Sequence, residues 1–293
     1  MEKPKVRISV RNLVEFILRS GDLDNSRGSS GDKEAMLKGG RLHRKIQRSM
    51  KGNYQAEVSL KRESEYEDVI IQVEGRADGI FTEDGEFWID EIKGTYGNLQ
   101  AMEVPVPVHR AQAMCYGWIY GEKEGLSQIG IQMTYSHLDT EDTRRFREIF
   151  SMEELKNWYQ KLLDDYHKWI SCSLSWKKER NASMKDLQFP FPYREGQREI
   201  VSGVYHTVSS KKTLFVQAPT GVGKTMSAIF PSVRAIGEGK GETLFYLTAK
   251  TITGTVAWEA FHTLRENGLK FKVTAITAKE KLCFLDSPEC TPE

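Results

Sequence analysis

Two groups of residues in this sequence have the types and spacing to act on phosphate. The first is Asp78 followed by Glu91-Ile92-Lys93, with the dipeptide Asp84-Gly85 between them. Asp-Gly between two alternating apolar stretches marks a two-residue hairpin. Folding about it sets Glu83 opposite Glu86 and, carried outward, Asp78 opposite Glu91. Opposed residues on antiparallel strands share a face, and like charges there are destabilising unless something compensates. A divalent cation is the natural compensator, and hard oxygen ligands suit magnesium or manganese. Lys93 returns to the same face two residues beyond Glu91, whereas Ile92 and Asp90 point to the opposite one. A metal held there can activate water and stabilise charge on a phosphoryl oxygen. Lys93 could orient the nucleophile or steady the pentavalent phosphate. The plainer alternative is that Glu91 and Lys93 are an ordinary strand ion pair.

The second group is Ala218-Pro219-Thr220-Gly221-Val222-Gly223-Lys224-Thr225. It follows an apolar stretch and opens a helical one, the context that a phosphate-binding loop requires. Gly221 and Gly223 let main-chain N–H groups turn toward phosphate oxygens, and the helix N-terminus adds favourable potential. Lys224 would contact the β and γ phosphates of ATP, and Thr225 would ligate its magnesium. The loop alone does not distinguish a helicase from a kinase or another ATPase.

The elements that must position these groups follow from capping and periodicity. Ser9 suits the N-cap of a short helix carrying Leu13, Phe16 and Ile17, with Gly21 as its C-cap glycine, and residues 22–36 form a polar loop. Strands are expected at 56–61, 66–80 and 86–93, a helix near 107–120, and a further strand pair at 129–135 and 144–150. Ser151 and Glu154 make a capping box before a helix with Leu155, Trp158, Leu162, Tyr166 and Trp169 along one face. Residues 177–192, charged, then polar, then marked by Pro190 and Pro192, form an interdomain linker. Beyond it come a helix near 195–208, a strand at 214–217, the glycine-rich turn, a helix from about Lys224 and a strand at 243–247. That order suits a parallel α/β sheet.

Composition narrows the setting. The chain has 293 residues, enough for two domains. Lys plus Arg number 42 against 41 Asp plus Glu, so any basic surface must be local. The clusters Arg144, Arg145 and Arg147, and Lys177, Lys178 and Arg180, are candidates, although charge runs are usually solvated faces. There is no apolar leader and no apolar run of about 18 residues, so a cytoplasmic location without a membrane partner is expected. Four cysteines, Cys115, Cys172, Cys283 and Cys290, are too few and scattered for a disulfide framework.

Gly75-Arg76-Ala77-Asp78 with Glu91-Ile92-Lys93 resembles the PD-(D/E)xK nuclease superfamily, in its RecB-like branch. Gly39 to His43 fits the GxxxH element of that branch, and Gln112 to Tyr116 its QxxxY element. The resemblance implies metal ligation by His43, Asp78, Glu91 and the Ile92 carbonyl. It makes Lys93 catalytic and assigns Gln112 and Tyr116 to positioning DNA or the lysine. Glu57 is a further acidic candidate. Phe191 to Gln197 looks like the adenine-recognising segment of XPD/DinG-type superfamily-two helicases, which points to Arg194 and Gln197 at the ATP site with Gly221, Val222, Gly223, Lys224 and Thr225. Tyr246 to Thr251 resembles their DNA-contacting motif Ia. Lys279 to Cys283 resembles the place where that family puts the first cysteine of a [4Fe-4S] cluster, with Cys290 the second; without the family context, zinc or no metal would serve as well. No acidic Walker B box or second motor domain follows, so an incomplete motor within a longer protein is expected.

The resulting expectation is an α/β chain. Residues 1–176 would be a mixed-sheet, restriction-endonuclease-like domain, 177–192 a linker, and 193–293 the first part of a parallel-sheet, RecA-like P-loop domain. It would be an ATP-dependent DNA helicase fused to a magnesium- or manganese-dependent nuclease, working on single-stranded or branched DNA in repair or processing. The rival is an ATP-driven remodelling protein whose nuclease-fold domain holds DNA without cutting. A small-molecule phosphotransferase using the P-loop is a third, weaker possibility.

Overall fold

The computed structural model describes residues 3–20, 33–50, 53–249, 251–278 and 281–283. The chain divides into two compact units, one reaching Ser171 and one running from Cys172 to Pro288. In the first unit the elements are β1 (Lys5–Ser9), α1 (Val10–Ile17), α2 (Lys33–Ser49), β2 (Gln55–Glu65), β3 (Ile70–Glu83), β4 (Glu86–Thr95), α3 (Pro107–Glu124), β5 (Gln128–His137), β6 (Thr143–Ser151) and the start of α4 (Met152–Lys185). Six strands form one mixed sheet in the order β1-β3-β4-β5-β6, with β2 also paired to β3. The pairs β1/β3 and β4/β5 are parallel and the rest antiparallel. Helix α3 is the crossover that a parallel β4/β5 pair needs.

The hairpin forms where Asp84-Gly85 places it. Asp84 (φ 52°) and Gly85 (φ 85°) both adopt the left-handed conformation of a type I′ turn. The β3/β4 register runs from Glu83↔Glu86 to Gly79↔Asp90. Beyond that pair the ladder stops, and the Asp78 carboxylate accepts the Ile92 N–H at 2.7 Å through Oδ2. Asp78 therefore meets β4 where the hairpin argument puts it, but through its side chain instead of a ladder bond.

Gly79 shows why this segment needs glycine. A Cβ there would lie 1.9 Å from the Tyr54 hydroxyl oxygen and 2.0 Å from its Cζ. Tyr54 crosses the glycine to donate to Asp90 Oδ2 at 3.0 Å. Gly79→Ala should therefore cost about 1–3 kcal/mol by overpacking, measured as a lower midpoint in chemical denaturation, and an unchanged midpoint would refute this account of the glycine.

The core of the first unit collects the apolar faces of the sheet and α3, including fully enclosed Ile71, Ile80, Ile89, Ile92, Ile131 and Met133. The Ser151/Glu154 capping box is present: the Ser151 hydroxyl accepts the Glu154 N–H at 3.2 Å, and Glu154 accepts the Ser151 N–H at 2.9 Å. On α4, Leu155, Tyr159, Leu162, Leu163 and Tyr166 are buried, whereas Trp169 is 61% exposed. The buried stripe thus follows the 3.6-residue period more closely than the spacing first read.

Several boundaries differ from expectation. Helix α1 is capped by Ser9, whose side chain accepts from the Asn12 N–H, but it ends at Ile17 with Leu18 as C-cap. Gly21 and most of the expected 22–36 loop lie outside the described residues, and α2 already begins at Lys33. Strand β1 was not anticipated, being a five-residue segment held by parallel pairing to β3.

The second unit corrects two readings. Residues 177–185, expected in the linker, continue α4, and Met184 at its end is fully buried in a core with Ile229, Val233, Phe261 and Leu264. Charged residues on a helix tolerate solvent, so the Lys-Lys-Glu-Arg run did not mark a break. Residues 186–192 have no helix or strand, but they lie inside the second unit with Leu187 buried in its core, so they do not form an interdomain linker either. Helices α5 (Gln197–Ser210), α6 (Lys224–Gly237) and α7 (Thr251–Glu266) build the rest. The expected strands at 214–217 and 243–247 join no ladder among the described residues, and Phe215, Phe245 and Leu247 are 93%, 76% and 88% exposed. A parallel strand exists only through bonds to neighbours, and these segments have none. The second unit is held by helix packing. No helix among the described residues is long and apolar enough to cross a membrane.

Candidate functional site

A cleft of about 500 Å³ opens on the first unit, and every residue singled out for the nuclease-like group borders it, except Ile92, which backs it from the core. Five elements carry these residues: α2 brings His43, β2 Glu57, β3 Asp78, β4 Glu91 and Lys93, and α3 Gln112 and Tyr116. His43 Nδ1 lies 3.6 Å from Asp78 Oδ1. Lys93 Nζ is 2.8 Å from Glu91 Oε1. Gln112 and Tyr116 stand one helical turn apart on α3, which explains the spacing of that motif.

Among the described residues, two buried acceptors in this cleft have no partner: Glu91 Oε2 and Gln112 Oε1. An unsatisfied buried polar atom costs about 1–3 kcal/mol, and both of these would be satisfied by a cation. Burial first, then the neighbouring Asp78 charge, pushes the Glu91 carboxyl up to about 7, against the opposing pull of Lys93. The folded pKa lies above the usual value of 4.5, so the protonated acid favours folding. That contribution is fully present below about pH 4.5 and is lost as pH rises through about 7. Metal-free protein should therefore lose stability relative to Glu91→Gln across this window. Denaturation of both proteins at pH 4.5 and 7.5 checks this, and parallel pH curves would contradict it.

The surroundings hold the group in place. Glu57 sits at φ 58° at the one register position between Gln55↔Ile80 and Glu65↔Ile70 where the β2/β3 ladder skips a pair, opposite Asp78. A non-glycine residue in this conformation costs about 1–3 kcal/mol and persists where neighbours enforce it; here Gln47 Nε2 donates to Glu57 Oε1 and Arg76 Nε lies 2.6 Å from Oε2. Gln47 also donates to the Asp78 carbonyl at 2.9 Å. The sequence reading missed Gln47, although it stands one turn beyond His43 on the same helix face. Tyr116 packs over Gly75, where a Cβ would come within 2.6 Å of its hydroxyl. Burial and the Glu91 charge raise its phenol well above the ordinary range, so it stays neutral. His109 is held down to about 4 by burial, Lys93 and Arg11, and is neutral too.

Asp90 does face the opposite layer. It is fully enclosed and accepts from Tyr54, from Gln132 Nε2 at 3.0 Å and from Thr134 Oγ1 at 2.6 Å. Arg147 donates to Gln132 at 2.7 Å, and Arg144 to the Leu99 and Gln100 carbonyls. These arginines of the candidate basic cluster are therefore tied into the fold. Likewise Lys177 and Arg180 pair with Glu242.

In the second unit the glycine-rich turn has Gly221 at φ 86° and Gly223 at φ 83°, with Gly223 as the N-cap of α6. Lys224 Nζ donates to the Ala218 and Pro219 carbonyls at 3.0 and 2.8 Å, so the loop wraps its own ammonium. Arg194 donates to the Gly221 carbonyl. Buried Gln197 accepts the Arg194 N–H at 3.0 Å and lies where a Cβ on Gly223 would meet its amide nitrogen at 2.6 Å. The two upstream residues thus come together at the loop. Tyr246 donates to Thr225 Oγ1 at 3.3 Å, a contact between residues 21 apart that no local pattern signals. Val222 lies in the turn itself.

Among the described residues no group of three or more His, Cys, Asp or Glu side chains is arranged to hold a metal ion. His43, Asp78 and Glu91 border one cleft, but Glu91 is turned to Lys93. Cys283 is a half-buried free thiol, and Cys290 lies outside the described residues, as do Lys250, Lys279 and Glu280 of the flanking motifs. A [4Fe-4S] cluster takes four thiolates, so these two cysteines do not by themselves fit one. Cys115 is buried, and burial pushes its thiol up.

No family model matches the chain. Over 47 residues it is 40% identical to a protein of Methanocaldococcus jannaschii described as a probable ATP-dependent helicase, a stretch covering 16% of this chain and 7% of that one. The chain thus spans a small fraction of this relative's length. The crystal structure of SSO0001 is similar over 54% of this chain and 75% of its own, at 21% identity and a TM-score of 0.35.

Proposed function

We propose that the chain joins a metal-dependent nuclease site on its first unit to the ATP site of a DNA motor of XPD/DinG helicase type on its second. The observation that carries the nuclease half is Glu91 Oε2, a buried carboxylate oxygen without a partner among the described residues, in a cleft shared with Asp78, His43 and Lys93. Carboxylates, an imidazole and an unsatisfied acceptor fit magnesium or manganese, which His43, Asp78, Glu91 and the Ile92 carbonyl would hold. Bound there, the metal would supply an activated water and neutralise charge on the phosphate.

The chain's own groups do the rest. Lys93 presents an ammonium where negative charge develops, which is the kind of preorganised electrostatic aid that lowers phosphoryl-transfer barriers. Tyr116, neutral, can donate to a phosphate oxygen. Gln112 fixes orientation from the same helix, and Asp90 anchors β4 from behind, so that Glu91 and Lys93 keep their direction.

For the second unit, the loop geometry supports ATP binding by Lys224 and Thr225, with Arg194 and Gln197 beside the loop. The short helicase-like stretch supports a motor acting on nucleic acid, for which single-stranded or branched DNA is our proposal. A [4Fe-4S] cluster at Cys283 and Cys290 would need further thiolates, and nothing is routed through it.

A second reading keeps the motor but makes the first unit a DNA holder that does not cut. It is favoured by the closed Lys93–Glu91 pair and by the lack of a three-ligand group among the described residues. Manganese-dependent cleavage of DNA, lost in Lys93→Ala, decides between the two.

A further inference from the structure

The cleft contains more positive charge than a metal site requires. Beside the carboxylates Glu57, Asp78 and Glu91 it is bordered by Lys93 and by three arginines, Arg11 of α1, Arg44 of α2 and Arg76 of β3. None of the three is needed to bury apolar surface, since all are exposed. Arg11 pairs with Glu15 one turn along its helix, and Arg76 with Glu57. Among the described residues Arg44 has neither a hydrogen bond nor an ion pair. A pocket built only to hold a cation would keep such groups away, because each opposes the cation's charge.

We propose that Arg11, Arg44 and Arg76 form a cationic collar that holds the phosphates flanking the scissile one. The site then takes a polynucleotide strand in preference to a mononucleotide or a small phosphodiester. The inference rests on the nuclease reading and specifies its substrate class. The three arginines come from three separate elements around the carboxylates, so they can meet more than one phosphate along a backbone. Guanidinium suits this task because its planar fork matches phosphate oxygens. The collar reads backbone and not base, so it is indifferent to sequence.

The test uses the full chain, an unstructured single-stranded oligonucleotide and bis(p-nitrophenyl) phosphate, a diester with no flanking phosphate. In manganese, Arg11→Ala/Arg44→Ala should lower the ratio of oligonucleotide to small-diester kcat/KM about tenfold or more, through KM for the oligonucleotide. Arg44→Lys should recover part of it. The log–log dependence of oligonucleotide binding on salt, measured by anisotropy in calcium, should flatten by about 0.7 for each arginine removed. Thermal unfolding of each variant confirms folding, since an exposed pair such as Arg11–Glu15 contributes little to stability. A ratio and a salt slope both equal to those of the unaltered chain would overturn the collar. If the unaltered chain hydrolyses neither substrate yet the arginine variants still lose binding and slope, the cutting reading falls while the strand-binding collar stands.

Discussion

Lys93→Ala should lower manganese-dependent DNA cleavage by about 100-fold or more, with the loss in kcat and little change in DNA affinity. Lys93 lies on the cleft face of β4 with its ammonium 2.8 Å from Glu91 Oε1. Removing it takes away a group that acts where charge develops. It also removes a positive neighbour that holds the Glu91 carboxyl down, so the variant's Glu91 should stay protonated to higher pH and its metal dependence should move to higher concentration. Both shifts can be read in one set of cleavage assays across pH and manganese. Cleavage that survives in Lys93→Ala at the unaltered rate would remove this site from the chemistry, and absence of any cleavage in the unaltered chain would favour the non-cutting reading.

Lys224→Ala should weaken ATP binding by on the order of 100-fold, from the 1.5–3 kcal/mol typical of a hydrogen bond to a charged group. The lysine is now folded onto the Ala218 and Pro219 carbonyls. Binding therefore exchanges two carbonyl acceptors for phosphate oxygens, and the variant loses that exchange while the main-chain N–H groups of the turn remain. Arg194→Ala should weaken binding less, because Arg194 reaches the loop through the Gly221 carbonyl. Titration with a fluorescent ATP analogue gives both affinities. Equal binding by the Lys224 variant and the unaltered chain would show that the glycine-rich turn is not the nucleotide site.

The candidate sites were legible to different depths. Asp84-Gly85 determined the hairpin turn, and strand alternation then placed Asp78, Glu91 and Lys93 on one face and Asp90 on the other. Those inferences are local: a turn type follows from which residues tolerate positive φ, and a face follows from a period of two. The capping box before α4 and the helix that begins at Lys224 are local in the same sense.

What depended on distant partners was not legible. The unpaired stretches at 214–217 and 243–247 have strand-like composition, but a strand needs a neighbouring strand, and composition does not supply one. Strand β1 shows the converse, since a short segment becomes a strand by pairing with β3. The run at 177–185 looked like a break because it is charged, yet Met184 and the core behind it continue the helix.

By itself, then, the sequence determined the turn, the shared face of the two carboxylates and the lysine, and the glycine-rich loop, because each rests on backbone preferences within a few residues. Only the tertiary structure decided that α2 brings His43 to Asp78, that Arg194 and Gln197 close on the loop, and that three arginines from separate elements surround one cleft. Those approaches join residues far apart in the chain, and they are set by how helices and sheet pack to bury apolar surface, which no short stretch of sequence specifies.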